Sequence, residues 1–84
     1  MVTVKLFGLF RLDSGIKELQ LEADTVKDLY PQLIKAARSA KSSVKVDRGY
    51  INGCVVVVNG EPGDKNTKLK DGDTVYLASP MAGG

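Results

Sequence analysis

One amphipathic segment lies between two groups of strand-like segments, and this order is the strongest constraint on the fold. Apolar residues in the segment recur at i, i+3, i+4, i+7, i+8 and i+11, which is the spacing of one buried stripe on an α-helix. A single helix with strands on both sides predicts an α+β domain whose one main helix packs on one face of the sheet. The stripe consists of Val26, Leu29, Tyr30, Leu33, Ile34 and Ala37.

The start of this helix has two signals that place it differently. Thr25 is followed three residues later by Asp28, which is the spacing of a capping box. Pro31 lies beyond the first turn of a helix that begins at Val26, where a proline removes a hydrogen bond and kinks the axis. Either the helix bends at Pro31, or its regular part begins there as a first helical residue. The sequence leaves both alternatives open.

The N-terminal region predicts a β-hairpin. Its apolar residues alternate with polar ones, first before and then after a turn, as expected for half-buried strands. Residues 13–15, Asp-Ser-Gly, have turn chemistry because a small polar pair precedes a residue that tolerates positive φ. The strand positions are Val2, Val4 and Leu6 before the turn, and Ile16, Leu19 and Leu21 after it.

The second half of the chain predicts two further strands. Residues 54–58 are a continuous apolar run, typical of a strand buried on both faces in mid-sheet. Residues 59–63 end it with strong turn signals, and residues 71–73 form a tight turn before the last strand, 74–78. Residues 38–53 are polar and small, and we interpret them as a long connection with little regular structure.

The order of hairpin, helix, strand, turn and strand favours a β-grasp arrangement. In this arrangement the helix leads from the hairpin to a central third strand, and the last strand lies beside the first. A length of 84 residues suits one domain. We expect that domain to span residues 1–79, with residues 80–84 as a flexible C-terminal Gly-Gly tail.

Composition argues against several classes of function. The chain has no His, the commonest general base and metal ligand, and its single Cys54 excludes Cys-rich zinc sites and four-Cys iron–sulfur clusters. Without a His partner, Cys54 is interpreted as a small core hydrophobe. A net charge of +2 gives no electrostatic argument for nucleic acid or a membrane surface. We expect no metal site and no bound cofactor, and the lone cysteine fits a cytoplasmic location.

The C-terminal tail is the strongest candidate for a functional site. Residues 80–84 reach ~17 Å when extended, and Gly83-Gly84 is thin enough to enter a narrow channel in another protein. A carboxylate is a poor electrophile, but an acyl-adenylate of Gly84 exposes its carbonyl to a sulfur nucleophile without obstruction from a Cβ. Pro80 stiffens the exit from the last strand. Alone, the dipeptide is also compatible with an incidental chain end; the apolar strand before it favours function.

Residues 71–84 resemble the C-terminal signature of the MoaD/ThiS sulfur carriers. In that family an acidic-Gly-Asp turn precedes an apolar strand, which is followed by Pro, an apolar residue, a small residue and Gly-Gly. Residues 57–61 and 4–12 are similar to the family's third-strand ending and first strand. The resemblance implies a ubiquitin-like β-grasp fold. The chain length and Pro80 look more like MoaD, the small subunit of molybdopterin synthase, than the shorter thiamine-pathway carrier.

The resemblance also implies a function and two partners. An ATP-dependent activating enzyme would adenylate Gly84, with Gly83 giving access, and sulfur transfer would then form a thiocarboxylate. ATP would belong to that enzyme and not to this chain. The large subunit of molybdopterin synthase would take the sulfur to build molybdopterin. On this interpretation the chain is a non-catalytic, sulfur-donating subunit.

A docking patch is expected near the tail. Phe7 and Leu9 should point to the sheet face opposite Val4 and Leu6, where no helix covers them. An apolar patch on that face would bind the activating enzyme and the large subunit. The alternative is that Phe7 closes the small core from the hairpin end. The expected partner-binding residues are Phe7, Tyr76, Pro80, Met81 and Ala82.

Other functions stay open at this point. The carrier could supply thiamine synthesis or another pathway, since related tails look alike. The chain could instead be a ubiquitin-like modifier that forms an isopeptide bond from Gly84 to a target lysine. In a third interpretation it is an interaction domain whose glycines are incidental, and removal of Gly83-Gly84 would then leave its function intact.

Overall fold

The computed structural model describes residues 1–40 and 45–79 of the chain. These residues form a five-stranded mixed sheet in the order β2-β1-β5-β3-β4, with helix α2 as the main helix, and the predicted β-grasp fold is confirmed. The elements in chain order are β1 (Val2–Phe7), α1 (Gly8–Ser14), β2 (Glu18–Leu21), a 3₁₀ helix (Val26–Leu29), α2 (Tyr30–Ser39), α3 (Arg48–Asn52), β3 (Val55–Val58), β4 (Glu61–Pro62) and β5 (Thr74–Ala78).

The last strand is the centre of the sheet. Strand β5 pairs with β1 in parallel and with β3 in antiparallel orientation, so the predicted neighbourhood of first and last strands is confirmed. In register, Val4 lies opposite Val75, and Leu6 lies opposite Leu77. Because these four residues point to the same face, the two central strands supply the floor of the core.

The core lies between the inner face of the sheet and the helices. Strands β1 and β5 alternate buried and partly exposed residues along their length, as the sequence pattern predicts. Helix α2 and the 3₁₀ helix before it place their apolar stripe over this face. The most deeply buried members of the stripe are Val26, Leu29 and Leu33, each at most 1% exposed.

The structure decides where the main helix begins. The carboxylate of Asp28 accepts hydrogen bonds from the Thr25 backbone N–H (3.2 Å) and the Thr25 hydroxyl (2.9 Å), so the predicted capping pair is present. A 3₁₀ helix occupies Val26–Leu29, and Pro31 lies in the first turn of α2. Proline is tolerated there because N–H groups of a first turn have no partner within the helix.

The hairpin connection is a helix and not a simple turn. Strand β1 ends at Phe7, and Gly8, with φ 62°, begins α1, so the resemblance of residues 4–12 to a first strand was wrong beyond Phe7. Phe10 is 1% exposed, and the Ser14 hydroxyl donates to its carbonyl at 2.6 Å. Burial of this i, i+4 pair favours helix over extended chain. Leu9 therefore belongs to α1 and not to strand β1.

The segment 38–53 is more regular than the sequence predicts. Helix α2 continues to Ser39, and α3 occupies Arg48–Asn52; residues 41–44 lie outside the described residues. The Asp47 carboxylate caps α3 by accepting from the Tyr50 N–H at 2.9 Å. Ile51 is fully buried. A capping residue and one apolar anchor are enough to hold this single turn against the core.

The β-branched run forms a strand that is buried on one face only. In β3, Val56 and Val58 are buried, whereas Val55 is 56% exposed. The prediction of a mid-sheet strand buried on both faces was therefore wrong. Strand β3 is not central, because only the two-residue β4 lies beyond it. The turn into β4 was predicted correctly, with Asn59 (φ 51°) and Gly60 (φ 84°) both at positive φ.

Candidate functional site: the root of the tail and the open sheet face

The C-terminal tail leaves the domain from the middle of the sheet. Strand β5 ends at Ala78, which is paired with Phe7 at the end of β1 and with Val55 at the start of β3. Ser79 is the last described residue. The predicted tail, residues 80–84, including Gly83, Gly84, Pro80, Met81 and Ala82, lies outside the described residues. The described part of the site is therefore Ser79, which is the root of the tail, and the residues around it.

Ser79 fastens the root of the tail to helix α1. Its hydroxyl oxygen accepts a hydrogen bond from the Phe10 N–H at 3.0 Å. That N–H belongs to the first turn of α1 and has no acceptor within the helix, so Ser79 acts as a cap supplied from another element. Gly8 comes close as well, since a Cβ on it would lie 4.0 Å from the Ser79 carbonyl oxygen.

Helix α3 packs against α1 and stabilises the part of α1 that binds Ser79. The Tyr50 ring meets the buried Phe10 ring edge-on, with centroids 5.1 Å apart, and the Tyr50 hydroxyl donates to the Asp13 carboxylate at 3.3 Å. Burial raises the pKa of Tyr50, a hydrogen bond with the Ser79 side chain lowers it, and the Asp13 charge raises it further. The pKa is raised on balance from an ordinary value already well above 7, so the phenol stays neutral near pH 7 and can donate.

The open face of the sheet has two stacked aromatic rings next to the tail root. Phe7 and Tyr76 lie with their centroids 5.5 Å apart and their planes at 25°. The Lys5 ammonium lies 5.9 Å from the centre of the Tyr76 ring, within the range of a cation–π contact. Phe7 keeps 41% of its surface exposed, so it does not close the core. The structure brings these two predicted residues together.

Strand β3 extends the apolar surface beyond the residues that the sequence indicated. Across β5, Ala78 lies between Phe7 and the exposed Val55, and Tyr76 lies opposite Val57. Residues opposite each other in register share a face, so these side chains form one continuous surface. We name this surface the outer-face patch; it consists of Phe7, Val55, Val57, Tyr76 and Ala78.

A signal for the β3 residues was present in the sequence. Pro62 follows the β-branched run after a short turn, and proline within a sheet is confined to edge strands and strand ends. A strand whose outer neighbour is a short edge strand lies near the border of the sheet, where little covers its second face. The run Val55–Val58 should therefore have been divided into an inner and an outer pair of valines.

Cys54 has the properties of a structural residue. Burial raises the pKa of its thiol to about 11, so the thiolate needed for nucleophilic attack is scarce near pH 7. Its sulfur lies 3.5 Å from the Tyr50 carbonyl oxygen, to which the thiol donates, and the side chain packs against the core. This agrees with its interpretation as a small core hydrophobe.

Two further classes of site are absent from the described residues. Within residues 1–40 and 45–79, no three His, Cys, Asp or Glu side chains are grouped so that they could bind a metal ion. Over the same two ranges, no helix is both long enough and apolar enough to cross a membrane. The outer-face patch with the tail root beside it is an arrangement suited to binding a partner while a chain end is presented to it.

The comparison with protein families assigns the chain. The sequence model of the ThiS family matches residues 4–84, which is nearly the whole chain and includes the terminal glycines. The chain therefore belongs to the ThiS family. It is a small ubiquitin-like protein of the sulfur-carrier and modifier class, whose carriers are non-catalytic. A search of curated protein sequences finds no match.

Solved structures extend the comparison over the full length. SAMP1 from Haloferax volcanii is 28% identical, with a TM-score of 0.73 and 99% of this chain and 98% of that chain covered. A chain in the complex of subunits 1 and 2 of the molybdopterin-converting factor from Helicobacter pylori is 25% identical, with a TM-score of 0.60 and coverages of 99% and 97%. A chain in the BexX/CysO complex from Amycolatopsis orientalis is 27% identical, with a TM-score of 0.67 and complete coverage of both chains.

These likenesses are comparable in strength. The identities of 28%, 25% and 27% belong to proteins with three different names, so they define the class of protein and not one pathway. The expected specific likeness to the small subunit of molybdopterin synthase stays a prediction.

Proposed function

We propose that this protein is the sulfur-donating small subunit of a molybdopterin synthase. The carboxylate of Gly84 is adenylated by an ATP-dependent activating enzyme with release of pyrophosphate. A sulfur donor then displaces AMP and leaves a thiocarboxylate on Gly84. The large subunit of the synthase uses this sulfur to build molybdopterin. Gly83 keeps the end narrow, and the chain acts as a non-catalytic subunit.

The observation that carries this proposal is the family match through residue 84, the terminal glycine itself. The Helicobacter pylori complex supports the choice of pathway, because the matching chain there is part of a complex of subunits 1 and 2 of a molybdopterin-converting factor. The position of the tail root supports a carrier function. Ser79 is fastened beside the outer-face patch, so a partner bound to the patch lies next to the tail.

The length of the tail explains how the domain can bind the partner while Gly84 reaches the partner's active site. Five residues beyond Ser79 reach ~17 Å when extended, which is enough to carry the Gly84 carbonyl from the domain surface into a neighbouring protein. The outer-face patch supplies the affinity, and Pro80, Met81 and Ala82 line the path of the tail against the partner. The domain remains outside the partner's active site.

The mass of the intact chain tests the carrier function. The protein is incubated with ATP, a sulfur source and an extract of its native cells. Replacement of one oxygen by sulfur adds ~16 Da, and this gain should disappear when Gly84 is deleted. No gain, in an extract that converts a known carrier, would contradict the proposal. Transfer of the sulfur to purified large subunit with a molybdopterin precursor then tests the pathway.

A second candidate function is a protein modifier. SAMP1 from Methanosarcina acetivorans, which is named a small archaeal modifier protein, matches with a TM-score of 0.72. A modifier needs the same adenylation of Gly84, but a lysine amine and not a sulfur nucleophile then attacks the carbonyl. Tryptic peptides with a remnant of this tail on lysine would favour the modifier. A terminal thiocarboxylate without such conjugates favours the carrier.

A further inference from the structure

A small basic cavity lies at the edge of the outer-face patch. It measures about 140 Å³ and is formed where β1, α1 and the start of β2 meet. Three of its residues are cationic and one is anionic, so two positive charges are in excess. The residues that line it are Lys5, Leu6, Phe7, Arg11, Lys17 and Glu18.

Three separate elements bring the cations together. Lys5 is on β1, opposite Glu18 of β2, and both side chains are on the outer face. Lys17 precedes β2 and is fixed there because its carbonyl accepts from the Leu6 N–H at 3.0 Å. Arg11 comes from α1, whose last turn is closed by a hydrogen bond from Gly15 N–H to the Arg11 carbonyl at 3.0 Å.

The cations are not neutralised within the described part of the chain. Over residues 1–40 and 45–79, neither Lys5, Arg11 nor Lys17 has a carboxylate oxygen within 4.0 Å. Glu18 is close in register to Lys5 but forms no such pair with it. Like charges on one small surface repel each other, and an external carboxylate would relieve that repulsion.

The cavity is continuous with the outer-face patch. Phe7 contributes to both, and Lys5 lies between Glu18 on one side and Tyr76 on the other. The opposite end of the patch, at Val55 and Val57, is apolar. The surface is therefore asymmetric, which allows a partner to bind in one orientation only.

We propose that the protein that activates the Gly84 terminus inserts an acidic side chain into this cavity while an apolar side chain beside it covers Phe7 and Tyr76. This inference rests on the proposed function and adds the chemistry of the partner surface. Charged groups at the rim of an interface act mainly on association rate and orientation. Their contribution therefore falls as salt is added, because the Debye length shortens.

The test uses the activating enzyme itself, purified from native extract by its pyrophosphate-exchange activity with the unmodified chain. The double variant Arg11→Gln/Lys17→Gln removes two charges from the cavity. The control Lys27→Gln/Lys35→Gln removes two exposed charges from the helix layer on the other side of the sheet. The apparent KM and kcat for pyrophosphate exchange are measured for each at about 0.05 M and about 0.5 M salt.

We expect the cavity variant to raise the apparent KM about tenfold at low salt and far less at high salt, with kcat nearly unchanged. The control should match the unmodified chain. Equal KM values for all chains would overturn the inference, and so would an equal rise in both variants, since that reports net charge alone. Lys17→Glu lies outside α1 and should have the same effect without any change to a helix. Thiocarboxylate formation at saturating protein reports on the proposed function separately.

Discussion

The two faces of the sheet are built from the same strands and serve different purposes. On the inner face, Leu6 and Leu77 are at most 1% exposed. One residue further along the same two strands, Phe7 and Ala78 face outward, and Phe7 keeps 41% of its surface in solvent. Burial makes the inner residues determinants of stability. The outer residues form a contiguous apolar surface that no helix of residues 1–40 and 45–79 covers, which is typical of a binding site.

The largest effect is expected from truncating a buried side chain on the inner face. Leu77→Ala removes a fully buried side chain from the central strand and should lower the free energy of unfolding by about 2–5 kcal/mol. Urea denaturation measures this loss. Thr74→Ala, on the outer face of the same strand, is the matched control and should cost about 1 kcal/mol or less. Similar losses for both variants would contradict the division between the faces.

The second prediction concerns truncation of an aromatic side chain on the outer face. Phe7→Ala should cost only about 1 kcal/mol of stability, through loss of the stacked Tyr76 contact, but should weaken binding to both the activating enzyme and the large subunit about thirtyfold. Calorimetric titration with each partner measures the affinity. Leu12→Ala, which truncates a 75% exposed side chain on α1, should leave both affinities unchanged. An intact Phe7→Ala protein with both affinities unaltered would show that the patch is not a docking site.

The third prediction concerns the point where the two faces meet the tail. Ser79→Ala removes the acceptor of the Phe10 N–H and should cost about 1 kcal/mol, as loss of a helix cap does. Hydrogen exchange should accelerate at the Phe10 amide more than at amides of α2. Ser39→Ala, at the exposed end of α2, provides the control. Unchanged exchange at Phe10 would mean that Ser79 does not fasten the root of the tail.

The fourth prediction is a pH dependence that arises from the inner side. Cys54 has its pKa raised from 9.0 to about 11 by burial, so folding favours the protonated thiol. The resulting stabilisation is fully present below pH 9 and is lost as the pH rises through about 11. Cys54→Ala should reduce the fall in stability over this interval, measured by urea denaturation at several pH values. Identical slopes for the two proteins would place the thiol in solvent.

The long elements could be predicted because periodicity reports burial directly. Strand β5 was predicted with its observed bounds, and Pro31 was one of two weighed alternatives for the start of α2. Helices α1 and α3, of seven and five residues, were missed. Segments so short show no repeating stripe, and their stability comes from single anchors, Phe10 and Ile51, whose burial depends on the rest of the fold.

The site was predictable to the extent that it follows from alternation. Phe7 was expected on the open face because Val4 and Leu6 are on the other, and the structure places it there beside Tyr76. Val55 and Val57 were missed because a continuous apolar run has no period to divide it into faces. Ser79 was missed because its partner, Phe10, lies 69 residues away in the sequence. The roles of these residues stay predictions.

The central claim is that docking by the outer face and chemistry at Gly84 are separable, and a competition experiment tests it most directly. Conversion of the unmodified chain to its thiocarboxylate is followed by intact mass in the presence of excess Gly84-deleted chain. We predict that this competitor slows the conversion because it occupies the activating enzyme, and that the same competitor carrying Phe7→Ala does not. Equal inhibition by both competitors, or by neither, would contradict the account.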